Sequence, residues 1–257
     1  MLSKAPRGTK DITPKDVYKW HYVEKKFREI CALYGYEEIR TPIFEHTEVF
    51  ARSVGDTTDV VQKEMYSFTD RGDRQLSLKP EGTAGVIRSF IENKMYADTQ
   101  PTKLYYITPC FRYERPQAGR QRQFHQFGIE VLGSDGPSVD AEVISLAVQF
   151  FNEMGLKNLS VNINSVGCPT CREEYNRKLK EYLDKKVDVL CETCLERKDK
   201  NPMRVIDCKN PHCKENLQDI PFMIDHLCED CKDHFDKLQT YLKEMDINYV
   251  VDKTIVR

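Results

Sequence analysis

Hydrophobic residues recur at helical spacing through Val17, Trp20, Val23, Phe27, Ile30 and Tyr34, opposite a polar face carrying Lys25, Lys26, Arg28 and Glu29. This pattern predicts a helix opening near Thr13-Pro14 and closing at Gly35, a residue free to take the left-handed turn that ends helices. Residues 38–45 read as extended, and Pro42 among them lacks a backbone donor, so the segment suits an edge, a bulge or an interface. A hairpin is predicted around the turn at 70–73, with Leu76 and Leu78 facing a core. A helix over about 83–96 follows, with Val86, Ile87, Phe90 and Ile91 as its buried stripe. Strand-like stretches at 103–108 and 111–116 are separated at Pro109, and a turn over 117–120 leads into a longer strand at 122–132. There the two-residue period places Phe127, Ile129 and Val131 on one face and Phe124, Gln126, Gly128 and Glu130 on the other. A helix from Pro137 through Met154, stopped by Gly155, and a strand within "LSVNINSVG" complete this part. Hairpin-like returns outnumber strand-helix-strand units, which predicts an α+β fold with a mixed, mainly antiparallel sheet flanked by helices.

After Cys168 the pattern turns helical and irregular, with helices predicted over 172–187 and 233–244 and a closing strand, "INYVVDKTIVR", expected to lack its neighbour or its continuation. Eight of the ten cysteines lie here: Cys168, Cys171, Cys191, Cys194, Cys208, Cys213, Cys228 and Cys231. The chain is therefore expected to comprise a core over 1–165, a cysteine-rich helical insertion over 166–246 and a return strand over 247–257. C-x2-C spacing, present three times, lets two thiolates reach one tetrahedral ion, and Cys208 and Cys213 beside His212 offer a further pair. Eight thiolates suffice for two structural zinc sites; the plainer reading is reduced cysteines packed as small hydrophobes. Spacing does not say which pairs would share an ion.

Charge and composition narrow the function. With 39 Lys+Arg against 41 Asp+Glu in 257 residues the net charge is -2, so no global positive field holds DNA or an anionic membrane. No apolar run approaches the roughly 20 residues of a membrane span. The opening Met-Leu-Ser-Lys-Ala-Pro-Arg-Gly has no apolar stretch behind its charges, so a cytoplasmic chain without a secretory signal is expected. Neither GxGxxG nor GxxxxGK[ST] occurs, which removes support for dinucleotide-fold or P-loop binding.

Polar chemistry concentrates in two places. In "FRYERPQAGRQRQFHQFGIE", Arg112, Arg115, Arg120 and Arg122 gather around one turn with Glu114. Guanidinium forks there suit a triphosphate or a nucleic-acid backbone, although spacing alone fits a solvated hairpin tip equally well. Gln126 and Glu130 share a strand face with Gly128 between them opening room for a polar ligand, and a buried Glu130 needs a cation nearby. His125 falls on the Phe127 face and reads as structural. In Lys79-Pro-Glu-Gly-Thr-Ala84, Glu81 and Thr83 can receive an ammonium group; the alternative is a helix capped by Thr83 with Glu81 exposed.

"LKPEGTAGVIRSF" and "FRYERPQAGRQRQFHQFGIEVLG" resemble the signatures of class II aminoacyl-tRNA synthetases, and more narrowly the histidyl-tRNA synthetase family, and the resemblance extends over essentially the whole chain. It implies ATP-dependent activation of histidine, with Mg2+ as counter-ion, and transfer to the acceptor end of tRNA by a homodimer paired around Pro42. Glu81 and Thr83 would then hold the histidine amino group, Gln126 and Glu130 its pocket, and Arg112 the α-phosphate and the amino-acid carboxylate. Glu114 and Arg120 would lie at ATP, while Arg115, Gln117, Arg120 and Arg122 would close over the acceptor stem. Arg257 matches an arginine opposite Arg112 at the α-phosphate. The motifs that follow it in the family are absent, so an N-terminal fragment, weakly active or inactive alone, is expected. Two other readings remain open: a synthetase-like regulatory subunit of ATP phosphoribosyltransferase and a zinc-stapled tRNA-binding module. The cysteine set departs from the generic family pattern.

Overall fold

Helix α1 (Val17–Leu33) buries Phe27, Ile30 and Cys31, the residues its periodicity marks as inward. It begins later than Thr13-Pro14 suggests, because the Asp16 and Val17 amides both donate to the Thr13 carbonyl in a preceding turn. Gly35, at φ +76°, ends it as expected. The computed structural model describes residues 4–54 and 60–256. Two units emerge, Met1–Asp135 with Leu146–Leu156, and Gly136–Ser145 with Lys157–Arg257.

In the first unit, β1 (Glu37–Glu38), β2 (Phe44–His46), α2 (Thr47–Val54), β3 (Ser67–Thr69), β4 (Gln75–Leu78), α3 (Thr83–Glu92), β5 (Thr102–Phe111) and β6 (Gln123–Leu132) follow in order. One sheet has the order β1-β5-β6, with β5 and β6 antiparallel over their full length and β1 parallel to β5; a second has the order β2-β4-β3 and is antiparallel. Pro109 does not interrupt β5. The Tyr105 carbonyl and the Phe111 amide both point away from β6, toward Ile39 and Lys79, and Pro109 shares their parity. Its missing N–H thus falls where β1, paired only at Leu104 and Tyr105, has already ended.

The core of this unit is an aromatic cluster around Phe27, whose ring meets Phe127 at 5.1 Å, Phe150 at 5.3 Å and Tyr105 at 5.8 Å, all edge-on. Phe150 belongs to α4 (Pro137–Glu153). Such pairs add about 0.5–1.5 kcal/mol each beyond burial. Ile129 and Val131 pack on the same cluster, so the apolar face of β6 is the one its alternation marks. Two expected stripes differ. In β4 the buried residue is Ser77, whose hydroxyl lies 2.9 Å from Thr47 Oγ1 and 2.7 Å from Ser67 Oγ, while Leu76 and Leu78 lie on the half-exposed face. In α3, Val86 is buried but Ile91 is 59% exposed.

In the second unit, β7 (Val161–Ile163) pairs in parallel with β8 (Tyr249–Val251), so the closing strand has a neighbour after all. Between them lie α5 (Pro169–Asp184), α6 (Glu192–Lys200), α7 (Pro211–Asn216) and α8 (Glu229–Glu244). Helices α5, α6 and α8 each start on the residue after the first cysteine of a C-x2-C pair, because Cys168, Cys191 and Cys228 take extended backbone as N-caps. The two predicted helices are thereby extended at their N-terminal ends, and α6 and α7 are additions too short to leave a periodic signal. Among the described residues, twelve buried ones form a core cluster, including Tyr175, Leu179, Leu183, Val205 and Met223, and four of the twelve are cysteines.

Candidate active site and cysteine clusters

The strand-helix junction before α3 meets the polar face of β6 in the first unit. Glu81 turns its carboxylate back on the helix: Oε2 accepts the Thr83 amide at 2.6 Å and Oε1 the Ala84 amide at 2.9 Å. Glu81, and not Thr83, therefore satisfies the free N–H groups of the helix start. The Thr83 hydroxyl is released to donate to Glu130 Oε1 at 2.7 Å. Gln126 Oε1 accepts the Gly82 amide at 2.9 Å. Glu81, Thr83, Gln126 and Glu130, distant in sequence, are thus joined by hydrogen bonds at one junction.

Tyr106 completes this group without having been singled out from the sequence. It pairs with Gly128 across the β5–β6 ladder, and its hydroxyl lies 3.4 Å from Glu130 Oε1. A Cβ on either Gly82 or Gly128 would sit 2.2 Å from its ring. The room opened at Gly128 is therefore filled by Tyr106 and not left to a ligand. Alternation in "KLYYIT" combined with the antiparallel return holds the signal for this, since together they put Tyr106 on the Gly128 face.

Burial raises the Glu130 carboxyl above its ordinary range, the Thr83 bond opposes this, and the nearby Glu81 charge adds to it. Burial likewise raises the Tyr106 phenol and pushes the Cys110 thiol, 3.4 Å from Gln126 Oε1, up to about 12. Both hydrogen bonds to Glu130 fall on Oε1, which leaves Oε2 for a cationic group.

Arg112 follows β5 directly. Its Nε donates to the Pro80 carbonyl at 2.9 Å, and its guanidinium lies over the Phe124 ring at 5.2 Å. That bond fastens it to the same junction that holds Glu81. Glu114 gathers the loop: Arg112 approaches it at 3.9 Å, Arg120 at 3.4 Å, and Arg122 Nε donates to its carbonyl at 3.2 Å while stacking on Tyr113 at 4.0 Å. Arg115 and Gln117 are exposed, and Gln117 bridges to Arg120 across the turn. His125 meets Trp20 edge-on at 4.6 Å, and burial lowers its pKa. Lys79, 2% exposed, donates to the Thr41 carbonyl at 3.3 Å, and burial lowers its pKa too. Arg257 lies outside the described residues.

The second unit brings its eight cysteines into two groups of four. Cys168, Cys171, Cys228 and Cys231 form one, and Cys191, Cys194, Cys208 and Cys213 the other; within each the sulfurs all lie within 4.8 Å of one another. Either group can hold a metal ion. The Cys171 amide, followed by the Cys171 thiol, lowers Cys168 to about 6. Burial acts to raise Cys191, but the Cys194 amide and the thiols around it bring it down to about 7. Among the described residues no helix is long and apolar enough to cross a membrane.

A family model described as histidyl-tRNA synthetase matches residues 8–207. The chain is 80% identical over 257 residues to the histidine-tRNA ligase of Clostridioides difficile (strain 630), covering all of this chain and 61% of that protein. A crystal structure of apo S. aureus histidyl-tRNA synthetase superposes with a TM-score of 0.80 at 41% identity, over all of this chain and 58% of that one. A Bacillus halodurans structure titled ATP phosphoribosyltransferase regulatory subunit/histidyl-tRNA synthetase gives 0.65 at 20% identity, a likeness of fold alone, over all of this chain and 70% of that one. The chain spans about three fifths of the length of the curated relatives it matches. The family model runs through the whole junction from Glu81 to Glu130 and into the cysteine-rich unit, and the chain belongs to the histidyl-tRNA synthetase family.

Proposed function

We propose that this chain carries the histidine-activating site of a histidine-tRNA ligase. The observation that supports this most directly is the half-buried Glu130 carboxylate, bonded to Thr83 beside Glu81, with Arg112 tied to the same junction through Pro80. In this reading Glu81 and Thr83 receive the amino group of histidine, and Gln126 and Glu130 line the pocket for its side chain. A carboxylate whose burial disfavours ionisation is matched by a cationic ligand, which restores the charged form.

ATP enters as its magnesium complex. A carboxylate oxygen of histidine attacks the α-phosphorus in line, the bond to the bridging oxygen breaks, and pyrophosphate leaves with that electron pair. A ribose hydroxyl at the tRNA acceptor end then attacks the adenylate carbonyl and AMP departs. Arg112 stabilises charge on the equatorial phosphate oxygens, and Arg257 is assigned the opposite side. Fixing Arg112 by Pro80 and Phe124 supplies positioning as well as charge. Glu114 holds Arg120 toward ATP, and exposed Arg115 and Gln117, with Arg120 and Arg122, are assigned to the acceptor stem.

A homodimer fits the half-exposed face of the second sheet, where Phe44 pairs with Leu78 and Phe68 with Leu76, leaving Phe44 52% and Phe68 42% exposed. The regulatory-subunit reading has only likeness of fold in its support. Histidine titrated calorimetrically into the protein, together with histidine-dependent ATP-pyrophosphate exchange by the full-length protein, tests the proposal. Saturable binding selective for histidine and exchange that requires it are expected. Exchange driven equally by other amino acids would overturn it.

A further inference from the structure

The synthetase reaction makes no use of the eight late cysteines, yet the fold sorts them into two sets of four. The sets are nested along the chain. Cys191, Cys194, Cys208 and Cys213 lie between the two halves of the other set, Cys168 with Cys171 and Cys228 with Cys231. The outer set joins the N-terminus of α5 to that of α8, and the inner set joins the N-terminus of α6 to the start of α7.

Chemistry and distance both point to a single ion in each. Zinc held by four thiolates at about 2.3 Å places its sulfurs about 3.8 Å apart, within the 4.8 Å bound found in each set. Cys168 and Cys171 sulfurs are 3.5 Å apart and Cys191 and Cys208 sulfurs 3.8 Å. An iron-sulfur cluster spreads its four cysteines farther, because they are divided between two or four iron atoms. A disulfide requires about 2.05 Å and pairs only two of the four.

Backbone donors already face the sulfurs, as they do around bound thiolates. The Cys171 amide lies 3.5 Å from Cys168 Sγ, the Cys228 amide 3.1 Å from Cys171 Sγ, the Cys191 amide 3.2 Å from Cys213 Sγ, and the Asn210 amide 3.4 Å from Cys208 Sγ. At Gly167, φ +62°, a Cβ would sit 2.8 Å from Cys171 Cβ, so the outer set tolerates no side chain there. Eight neutral thiols would leave this geometry without a function, since four would occupy a third of a small core while contributing little apolar surface.

We propose that the second unit binds two structural zinc ions, one in each four-cysteine set. Each ion displaces the remaining thiol protons to solvent and is retained as a closed site without an open coordination position. The outer ion clasps the two long helices, α5 and α8, at their starts. The inner ion fixes α6 and α7, which are too short to be stable by themselves.

The test is elemental analysis of untagged protein prepared under reducing conditions, followed by replacement of the bound metal with Co2+. Two zinc ions per chain are expected, and cobalt should give the intense visible bands of tetrahedral four-thiolate coordination at two equivalents. The pair C228S and C231S, and separately C191S and C194S, should each lower the stoichiometry from two to one. If a variant fails to fold, the wild-type zinc content and cobalt titration still decide. Iron in place of zinc, one ion or none per chain, or cobalt spectra showing nitrogen or oxygen ligands would overturn the proposal.

Discussion

Glu130 sits where an ionised carboxylate is disfavoured, and its sign of titration separates stability from binding. Its folded-state pKa is raised above the ordinary value of 4.5, so its contribution to stability is fully present below that value and is lost as pH rises through the raised one. Once ionised, above the raised value, the group therefore works against the fold. Glu130→Gln should leave the ligand-free protein as stable as before or more so, while weakening histidine binding by about 10- to 100-fold, the worth of one hydrogen bond to a charged group. Thermal melting and calorimetric titration measure the two effects; parallel loss of both would show Glu130 to be a structural residue. The same logic predicts that histidine affinity falls as pH is lowered through the raised carboxyl range. Arg112→Lys keeps the charge but loses the planar fork stacked on Phe124 and bonded to Pro80. It should slow ATP-pyrophosphate exchange by about 100-fold or more without a shift in melting temperature. The joining of Glu81 to Glu130 was readable only in part. Alternation placed Gln126 and Glu130 on one face, but the exchange of roles between Glu81 and Thr83 depends on distances no spacing contains, and the filling of Gly128 by Tyr106 depends on ladder register.

At the scale of elements, a two-residue period determines which side chains share a face and leaves open which face is the core. The β4 sequence Gln-Leu-Ser-Leu illustrates this. Leu76 and Leu78 share a face as read, but the core side belongs to Ser77, because Thr47 and Ser67 satisfy its hydroxyl. The leucines then join Phe44 and Phe68 on an apolar surface in half contact with solvent. Ile91 on α3 is exposed in the same sense, and it borders a groove of about 600 Å3 lined also by Val49 and Ile87. If the sheet face is where two copies meet, Phe44→Glu and Phe68→Glu together should convert a dimer to a monomer in sedimentation velocity. Each substitution should cost the monomer no more than about 0.5 kcal/mol, as exposed substitutions ordinarily do. A dimer that withstands both charges would place the contact elsewhere.

At the scale of the whole chain the two units differ in what their cores are made of. The first closes on aromatic rings around Phe27, with Cys31 buried beside them and held as a thiol by burial that pushes it up to about 12. The second closes on a core in which Cys171, Cys194, Cys208 and Cys213 are four of twelve buried residues. The C-x2-C pairs were plain in the sequence, but their partition into 168/171/228/231 and 191/194/208/213 was not, since it is set by how α5 and α8 begin side by side. If each set holds an ion, metal removal takes away the bonds that fix these helix starts and leaves four facing thiols in each set, those of the inner set mostly buried. A small core with few apolar groups cannot absorb that loss. Hydrogen exchange after chelation should therefore show loss of amide protection in α5, α6, α7 and α8 by at least 100-fold, while amides of α1, β5 and β6 keep theirs. Readdition of zinc should restore the lost protection. Protection that survives complete metal removal would mean that packing of Tyr175, Leu179 and Leu183 is sufficient and that the cysteines hold no part of the fold's stability.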